Sequence, residues 1–345
     1  MEKLHVLLIC PTGKNYGLIK QTGTLALALN GAGIQVTLLV GDAETSPLEN
    51  LQSEVNVRHI PPKNLPFGHL FNREGPIEST LIQHRHLARA VKQTLAADQT
   101  IDIVHLMNVD YPNSGLAHIP ANLQMPVVGN VNRRHTLSTA PLKFWQRQKH
   151  KEALSLLEPM ILNSHALLEA AKEQGYEKIV LIPHGVRTEQ FKPALSKRPV
   201  RRALGLPEKA TLISCMADIK PQNAQLEAFE KCQPLSENRQ ILFIGDVKDP
   251  DYLARIHARV AEKGMESFMH MLTPQDNPED YLKAADVFIL LGGIENRHST
   301  ILEAQSAGVP VVLGPSESSL MLTNGNRSGV EIGRASCRER VFPVV

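Results

Sequence analysis

Residues 286–314 read DVFILLGGIENRHSTILEAQSAGVPVVLG. The apolar run over 286–291, rich in branched and aromatic side chains, has the length of one buried strand. Gly292 and Gly293 end that run and place Glu295 in a loop at the strand's carboxyl end. The pattern then predicts a helix over 299–307, stopped by Gly308, with Pro310 opening a further strand. Strand, glycine loop and helix in this order form the ligand-binding corner of an open α/β sheet. There the free N–H groups of the helix start suit phosphate.

Two glutamates, Glu295 and Glu303, stand in this corner with seven residues between them. Each has an ordinary structural explanation. Thr300 and Glu303 have the spacing of a capping box, a device that stabilises a helix start by about 0.5–2 kcal/mol. Glu295 fits a solvated loop acid. Beside a phosphate-binding helix start, however, the pair also suits a ligand carrying both hydroxyl groups and phosphates.

Outward from this corner, strands are expected over 4–10, 34–40, 55–60, 101–106, 126–131 and 160–163. A second series is expected over 211–216, 240–245, 268–272, 286–291 and 309–313. Helical patterns lie between them. The first should bury Leu25, Ala28, Leu29 and Ala32 on one face, and another Leu81, Leu87, Ala88, Val91 and Leu95. Such alternation predicts an α/β protein built from doubly wound parallel sheets. The loop over 11–17, with Gly13 and Gly17, makes the first strands a mononucleotide-binding half and Gly17 a candidate ligand contact. The glycines at 13, 17 and 23 miss the dinucleotide spacing G-x-G-x-x-G, so Asp42 alone speaks for a dehydrogenase.

At 345 residues the chain has room for two cores. We place the domains at 1–180 and 181–330, the second unit opening over 179–186. Apolar content of 42% and charged content of 21% are ordinary for a soluble globular protein, and a net charge of +2 predicts no strongly attracted polyanion. Cys10, Cys215, Cys232 and Cys337 lack metal or redox spacing, which points to a reducing compartment. The N-terminal apolar run is too short for a signal peptide, and no later stretch could span a bilayer. A cytoplasmic protein is expected, with room for peripheral contact at the inner face of the membrane.

Residues 133–151 contain no acid but carry Arg133, Arg134, Lys143, Arg147, Lys149 and Lys151, interrupted by Phe144 and the sole tryptophan, Trp145. Two readings stand. One is a solvated helix with both aromatics turned to the core. The other is a basic–aromatic surface for anionic lipid headgroups or a phosphorylated acceptor. No nucleic-acid recognition motif accompanies the charges.

The glutamate pair resembles the E-x7-E signature of retaining glycosyltransferases, family four especially, in which strand, loop glutamate, helix glutamate and A-x-G-x-P-V-V follow in this order. Residues 182–193, IPHGVRTEQFKP, are similar to the family's I-P-N-G-V-D-T-x-x-F-x-P at the start of its second domain. Residues 201–207, RRALGLP, match another common family stretch. The resemblance covers nearly the whole chain up to residue 330. It implies the GT-B architecture, two Rossmann-like domains facing a cleft, with the donor in the second and the acceptor in the first.

The implied activity is hexosyl transfer from a nucleotide sugar to a glycan or lipid-linked acceptor in cell-surface polysaccharide biosynthesis. It proceeds with retention, without metal or other cofactor and without nucleic acid as a partner. Glu295 would hold sugar hydroxyls, Glu303 the ribose, and the amides around His298, Ser299 and Thr300 the diphosphate. Charge developing on the departing diphosphate is what such a site most needs to stabilise.

The chain departs from the family pattern at three positions. The family's G-R-x-x-x-x-K follows the first strand of the second domain; the matching ADIKPQNA puts Asp218 and Asn223 at the basic positions, with Lys220 out of register. A family histidine after the P-V-V strand is replaced by Asn132, with His135 nearby as a substitute. Losing two charge-assisted contacts, each of about 1.5–3 kcal/mol, would cost orders of magnitude in affinity. A carboxylate about 4 Å from phosphate adds roughly 4 kcal/mol of repulsion at an effective dielectric of 20. Two functions follow: an active transferase using Glu295, Asn132 and His135, or a catalytically impaired relative that binds sugar nucleotide or glycan. A GT-B sugar-nucleotide epimerase fits the linker and glutamate motifs less well.

Residues 331–345, EIGRASCRERVFPVV, show neither strand nor helix periodicity and resemble a translated cloning adapter. The native sequence is expected to stop near Val330, with roughly fifty residues of such a fold missing and apolar surface left uncovered.

Overall fold

The computed structural model describes residues 3–12, 16–41, 53–60, 76–138, 142–275, 277–294, 298–316, 318–323 and 329–331. Its strands fall into two sheets. The first contains β1 (His5–Cys10), β2 (Gln35–Gly41), β3 (Asn56–Ile60), β4 (Ile103–Leu106), β5 (Val127–Val131), β6 (Met160–Leu162) and β7 (Ile179–Leu181), in the order β3-β2-β1-β4-β5-β6-β7. The second contains β8 (Thr211–Met216), β9 (Arg239–Ile244), β10 (Met269–Leu272), β11 (Val287–Leu290), β12 (Val311–Leu313) and β13 (Gly329–Glu331), in the order β10-β9-β8-β11-β12-β13. Every pairing between these strands is parallel.

The connecting helices of the first unit are α1 (Tyr16–Gly31), α2 (Pro76–Ala97), α3 (His118–Asn122), α4 (Arg134–Ser138), α5 (Phe144–Ser155) and α6 (His165–Glu173). Those of the second are α7 (Lys197–Ala203), α8 (Gln225–Lys231), α9 (Pro250–Glu262), α10 (Pro278–Ala284), α11 (His298–Ser306) and α12 (Ser319–Leu322).

Period-two alternation sorts β1 between two cores. Val6, Leu8 and Cys10 join Leu18, Ile19 and Ala26 of α1, whereas Leu7 and Ile9 join Leu87 and Val91 of α2. Helices thus cover both faces, which is why all six residues of β1 are buried. The buried face of α1 keeps part of the expected one, since Leu25 and Leu29 pack half-buried against this core, but it is turned from Ala28 and Ala32. Leu18, Ile19, Thr22 and Ala26 point inward, and Ala28 and Ala32 are exposed. Thr22 can be buried because its hydroxyl donates to the Leu18 carbonyl at 2.7 Å, a local bond that a count of apolar positions does not see.

The chain divides into the compact units Met1–Gly185 and Val186–Val345. β7, expected to open the second unit, instead pairs with β6 at the edge of the first sheet. At the far end, Glu331 pairs opposite Leu313 as the last residue of β13, inside the segment expected to be foreign. The remainder of that segment lies outside the described residues.

An ionic cluster holds the amino end of β11. Arg201 is 4% exposed and donates to the Ala284 and Ala210 carbonyls and to the Asp286 carboxylate at 2.6 Å. Asp286 also accepts from Lys197 and from the Leu212 amide. Burial pushes the Asp286 carboxyl up, but the hydrogen bonds from Leu212, Lys197 and Arg201 outweigh it and hold the group below its ordinary value. RRALGLP is therefore an anchor for the strand that carries the glycine loop.

Candidate functional site

The second sheet reverses its order between β8 and β11, so the loops leaving these neighbours form the crevice of that unit. The loop after β8 is braced from within. Asn223, 3% exposed, and Gln225, fully buried, each donate a side-chain amide to the Asp218 carbonyl at 2.7 Å. Ala224 takes a left-handed φ of 56° to start α8. The loop after β11 lies directly against it. A Cβ at Gly292 would stand 2.3 Å from the Gln222 carbonyl oxygen, and Gly293 has a left-handed φ of +66°. Sequence reading put Asn223 on the donor phosphates; its amide is instead spent inside the loop.

Asp218 has basic company. Lys220 approaches its carboxylate at 4.0 Å, Lys248 bonds Asp246 at 3.0 Å, and Ile219 bridges Val247 to bring the two loops together. The hydrogen bond from Lys248 to Asp246, with the nearby Asp218 charge, pushes the lysine above its ordinary value. Lys220 is thus the ammonium group nearest the Asp218 carboxylate, while Lys248 is matched by Asp246, so the cluster of two acids and two lysines carries no net charge.

α11 begins at His298, so Thr300 already lies inside the helix and is not its cap. The capping-box explanation of Glu303 fails for that reason, and Glu303 is only 6% exposed. A buried carboxylate must be matched by donors, and it sits on the helix that follows the glycine loop. Ser299 and Thr300 are half-buried in the first turn. Glu295 lies outside the described residues, as does the side chain of His298.

In the first unit the order reverses between β1 and β4. Gly17 lies in the first turn of α1, after β1, while its loop partner Gly13 is outside the described residues. Asn132, just past β5, donates its amide to the Met107 carbonyl at 3.0 Å and accepts from Asn163 at 3.3 Å. Asn163 follows β6 and also meets Nε2 of His184 at 2.7 Å. These residues bind together the ends of β4, β5 and β6 and the loop after β7. His135 is exposed on α4, and among the described residues its ring takes no part in this cluster. Asn163 lies outside every motif and His184 inside the 182–193 stretch, and their pairing appears only once the strands are side by side.

A second polar network lies alongside. His150, 1% exposed, meets Ser114 Oγ at 2.7 Å and the Thr136 carbonyl at 2.8 Å. The carbonyl can only accept, so Nε2 carries the proton and Nδ1 accepts from the serine. Thr136 donates to Asp110, and Arg133 approaches the same carboxylate at 3.9 Å. Burial pushes the His150 imidazole below its ordinary range.

α5 buries Gln146, His150, Ala153 and Leu154. Phe144 and Trp145 lie off that face and are 86% and 52% exposed, which overturns the reading that turned them to the core. Lys149 stands 6.0 Å over the Trp145 ring, and Arg147 donates to the Leu142 carbonyl at 2.6 Å. Two exposed aromatics amid Lys143, Arg147, Lys149 and Lys151 form a basic–aromatic surface. Among the described residues, no helix is long and apolar enough to cross a membrane, and no group of three or more His, Cys, Asp or Glu could hold a metal ion.

Residues 17–190 match the sequence pattern of Glycosyltransferase Family 4, and residues 196–329 that of Glycosyl transferases group 1. TuaC of Bacillus subtilis carries a name that assigns it, as a glycosyltransferase, to teichuronic acid biosynthesis. It is 25% identical over 303 residues, covering 82% of this chain and 73% of its own. UDP-Gal:alpha-D-GlcNAc-diphosphoundecaprenol alpha-1,3-galactosyltransferase of Escherichia coli is 29% identical over 145 residues, 39% of this chain and 36% of its own. In fold the chain is similar to HepE of Anabaena, whose crystal structure holds UDP and glucose. The TM-score is 0.72 at 18% identity, covering 95% of this chain and 85% of that one. The two parallel-sheet α/β domains are those of the GT-B fold.

Proposed function

The chain belongs to glycosyltransferase family 4, and from that premise we propose that it transfers a sugar, with retention and without metal, from a nucleotide sugar to a glycan or lipid-linked acceptor. It is a transferase of polysaccharide or glycolipid biosynthesis, as the names of its relatives support. The observation that carries the donor assignment is Glu303, a carboxylate 6% exposed on α11, the helix behind the glycine loop.

In this reading Glu303 accepts from the ribose hydroxyls and Glu295 from the sugar hydroxyls. The amides of the first turn of α11, over 298–300, receive the diphosphate. Negative charge grows on that diphosphate as the glycosidic bond breaks, and the helix start together with Lys220 and Lys248 stabilises it. Asn132 and the loops after β4 to β7 receive the acceptor. The exposed Phe144 and Trp145 on a basic helix support docking on an anionic membrane surface, which would bring a lipid-linked acceptor within reach.

The deciding experiment supplies a panel of nucleotide sugars with polyprenyl-diphosphate-linked sugar and follows the anomeric configuration of the product by NMR. Transfer with retention is expected. An inverted product would overturn the mechanism, and absence of transfer or hydrolysis across the panel would overturn the function.

A further inference from the structure

Asn132, Asn163 and His184 form a chain of hydrogen bonds whose direction is set at one end. The Met107 carbonyl can only accept, so the amide nitrogen of Asn132 must face it, at 3.0 Å. The Asn132 oxygen therefore faces Asn163 and must itself receive a proton, so Asn163 presents its Nδ2, at 3.3 Å. That same nitrogen lies 2.7 Å from Nε2 of His184. An amide N–H donates, so Nε2 must accept. The imidazole is then neutral and carries its proton on Nδ1. Turning over any one amide would set two acceptors face to face at the next contact. Asn163 is only 7% exposed, so little water is at hand to repair such a mismatch.

Resting on the transferase reading, we infer that His184 is a positioning residue of the first unit, held by Asn163 as a neutral Nδ1–H donor. While that bond is in place, Nε2 accepts from Asn163 and is closed to a proton. Position 184 is where the I-P-N-G-V pattern has asparagine, and position 132 is where histidine was expected. The structure brings these two departures into one relay. His135, the substitute proposed from sequence, stands exposed on α4 outside it.

The relay is tested by tautomer-resolved NMR of the full chain with 15N-labelled histidine, the signal being identified by its loss in His184→Gln. At neutral pH the two-bond pattern should show Nδ1 protonated and Nε2 bare. Asn163→Asp, nearly isosteric, replaces the donor by an acceptor. Nε2 should then gain a proton, and His184 should titrate at least about one pH unit higher than in the wild type. A wild-type ring protonated on Nε2, or one that Asn163→Asp leaves unmoved, overturns the relay.

The positioning role is tested by nucleotide-sugar turnover. His184→Gln, whose side-chain oxygen still accepts from Asn163, should retain roughly tenfold more activity than His184→Ala, with the donor KM unchanged in both. Equal losses would overturn the role. Expected spectra in a chain that turns over no sugar nucleotide would instead sink the transferase reading and leave the relay standing.

Discussion

Asn223 and Gly293 occupy each other's space: a Cβ at Gly293 would stand 2.1 Å from Oδ1 of Asn223. The glycine's φ of +66° already disfavours any L side chain, so two separate costs meet at one position. Gly293→Ala should destabilise the protein by roughly 2–5 kcal/mol, combining left-handed strain with overpacking. Gly175 provides the control, with φ of +79° and nothing within 4 Å, and there only the strain of about 1–2 kcal/mol is expected. Urea denaturation of both variants makes the comparison. Equal losses would mean that the two loops do not interlock.

Stability should fall as the solution is acidified through the histidine range. Burial pushes the imidazoles of His84, His105, His150 and His270 below their ordinary value. The unfolded chain protonates these rings near pH 6.5 while the folded chain still resists, so the unfolded state binds more protons and stability rises with pH. Denaturation midpoints should be flat above about pH 7.5 and decline below about pH 6.5, by up to about 1.4 kcal/mol per pH unit for each such ring. His105→Gln should make the decline shallower, since that ring, bonded to Asn130 at 2.8 Å, then no longer titrates. An unchanged slope would remove His105 from the account.

Glu303→Ala should weaken binding of a nucleoside diphosphate by roughly tenfold to a hundredfold in calorimetry, the worth of one or two hydrogen bonds to a charged group. Glu295→Ala should leave that affinity nearly intact and lower turnover. Unaltered affinity in Glu303→Ala would separate the buried carboxylate from the donor.

Sedimentation with liposomes tests α5. Binding should require anionic lipid, weaken as salt rises, and disappear when Lys143, Arg147 and Lys149 become glutamine. Phe144→Ala with Trp145→Ala should weaken it even at low salt, because both rings are exposed and their loss costs the fold little. Binding indifferent to charge would discard the membrane surface.

Much of this was readable from the sequence because hydrophobic period and glycine placement act locally. The runs before Gly292 and after Gly308 became β11 and β12, and the E-x7-E spacing led to Glu303. The helix expected over 299–307 already contains Thr300, and α11, opening at His298, agrees with it against the capping-box spacing. The pattern could not show β7 as an edge strand of the first sheet, because three residues carry no period. Phe144 and Trp145 read equally well as core until the helix phase was set by Gln146, His150, Ala153 and Leu154. Asn163 and His184 meet only through sheet order, which no single stretch encodes.

The Arg201–Asp286 cluster has an evolutionary corollary. It secures β11 at the amino end, whereas glycines and amides shape the loops at the opposite end. Residues that recognise ligands can therefore be exchanged without loosening the strand that presents them. Diversification of donor choice in a chain of this build should accumulate above the strand ends, while changes at Arg201 are purged regardless of which sugar is carried.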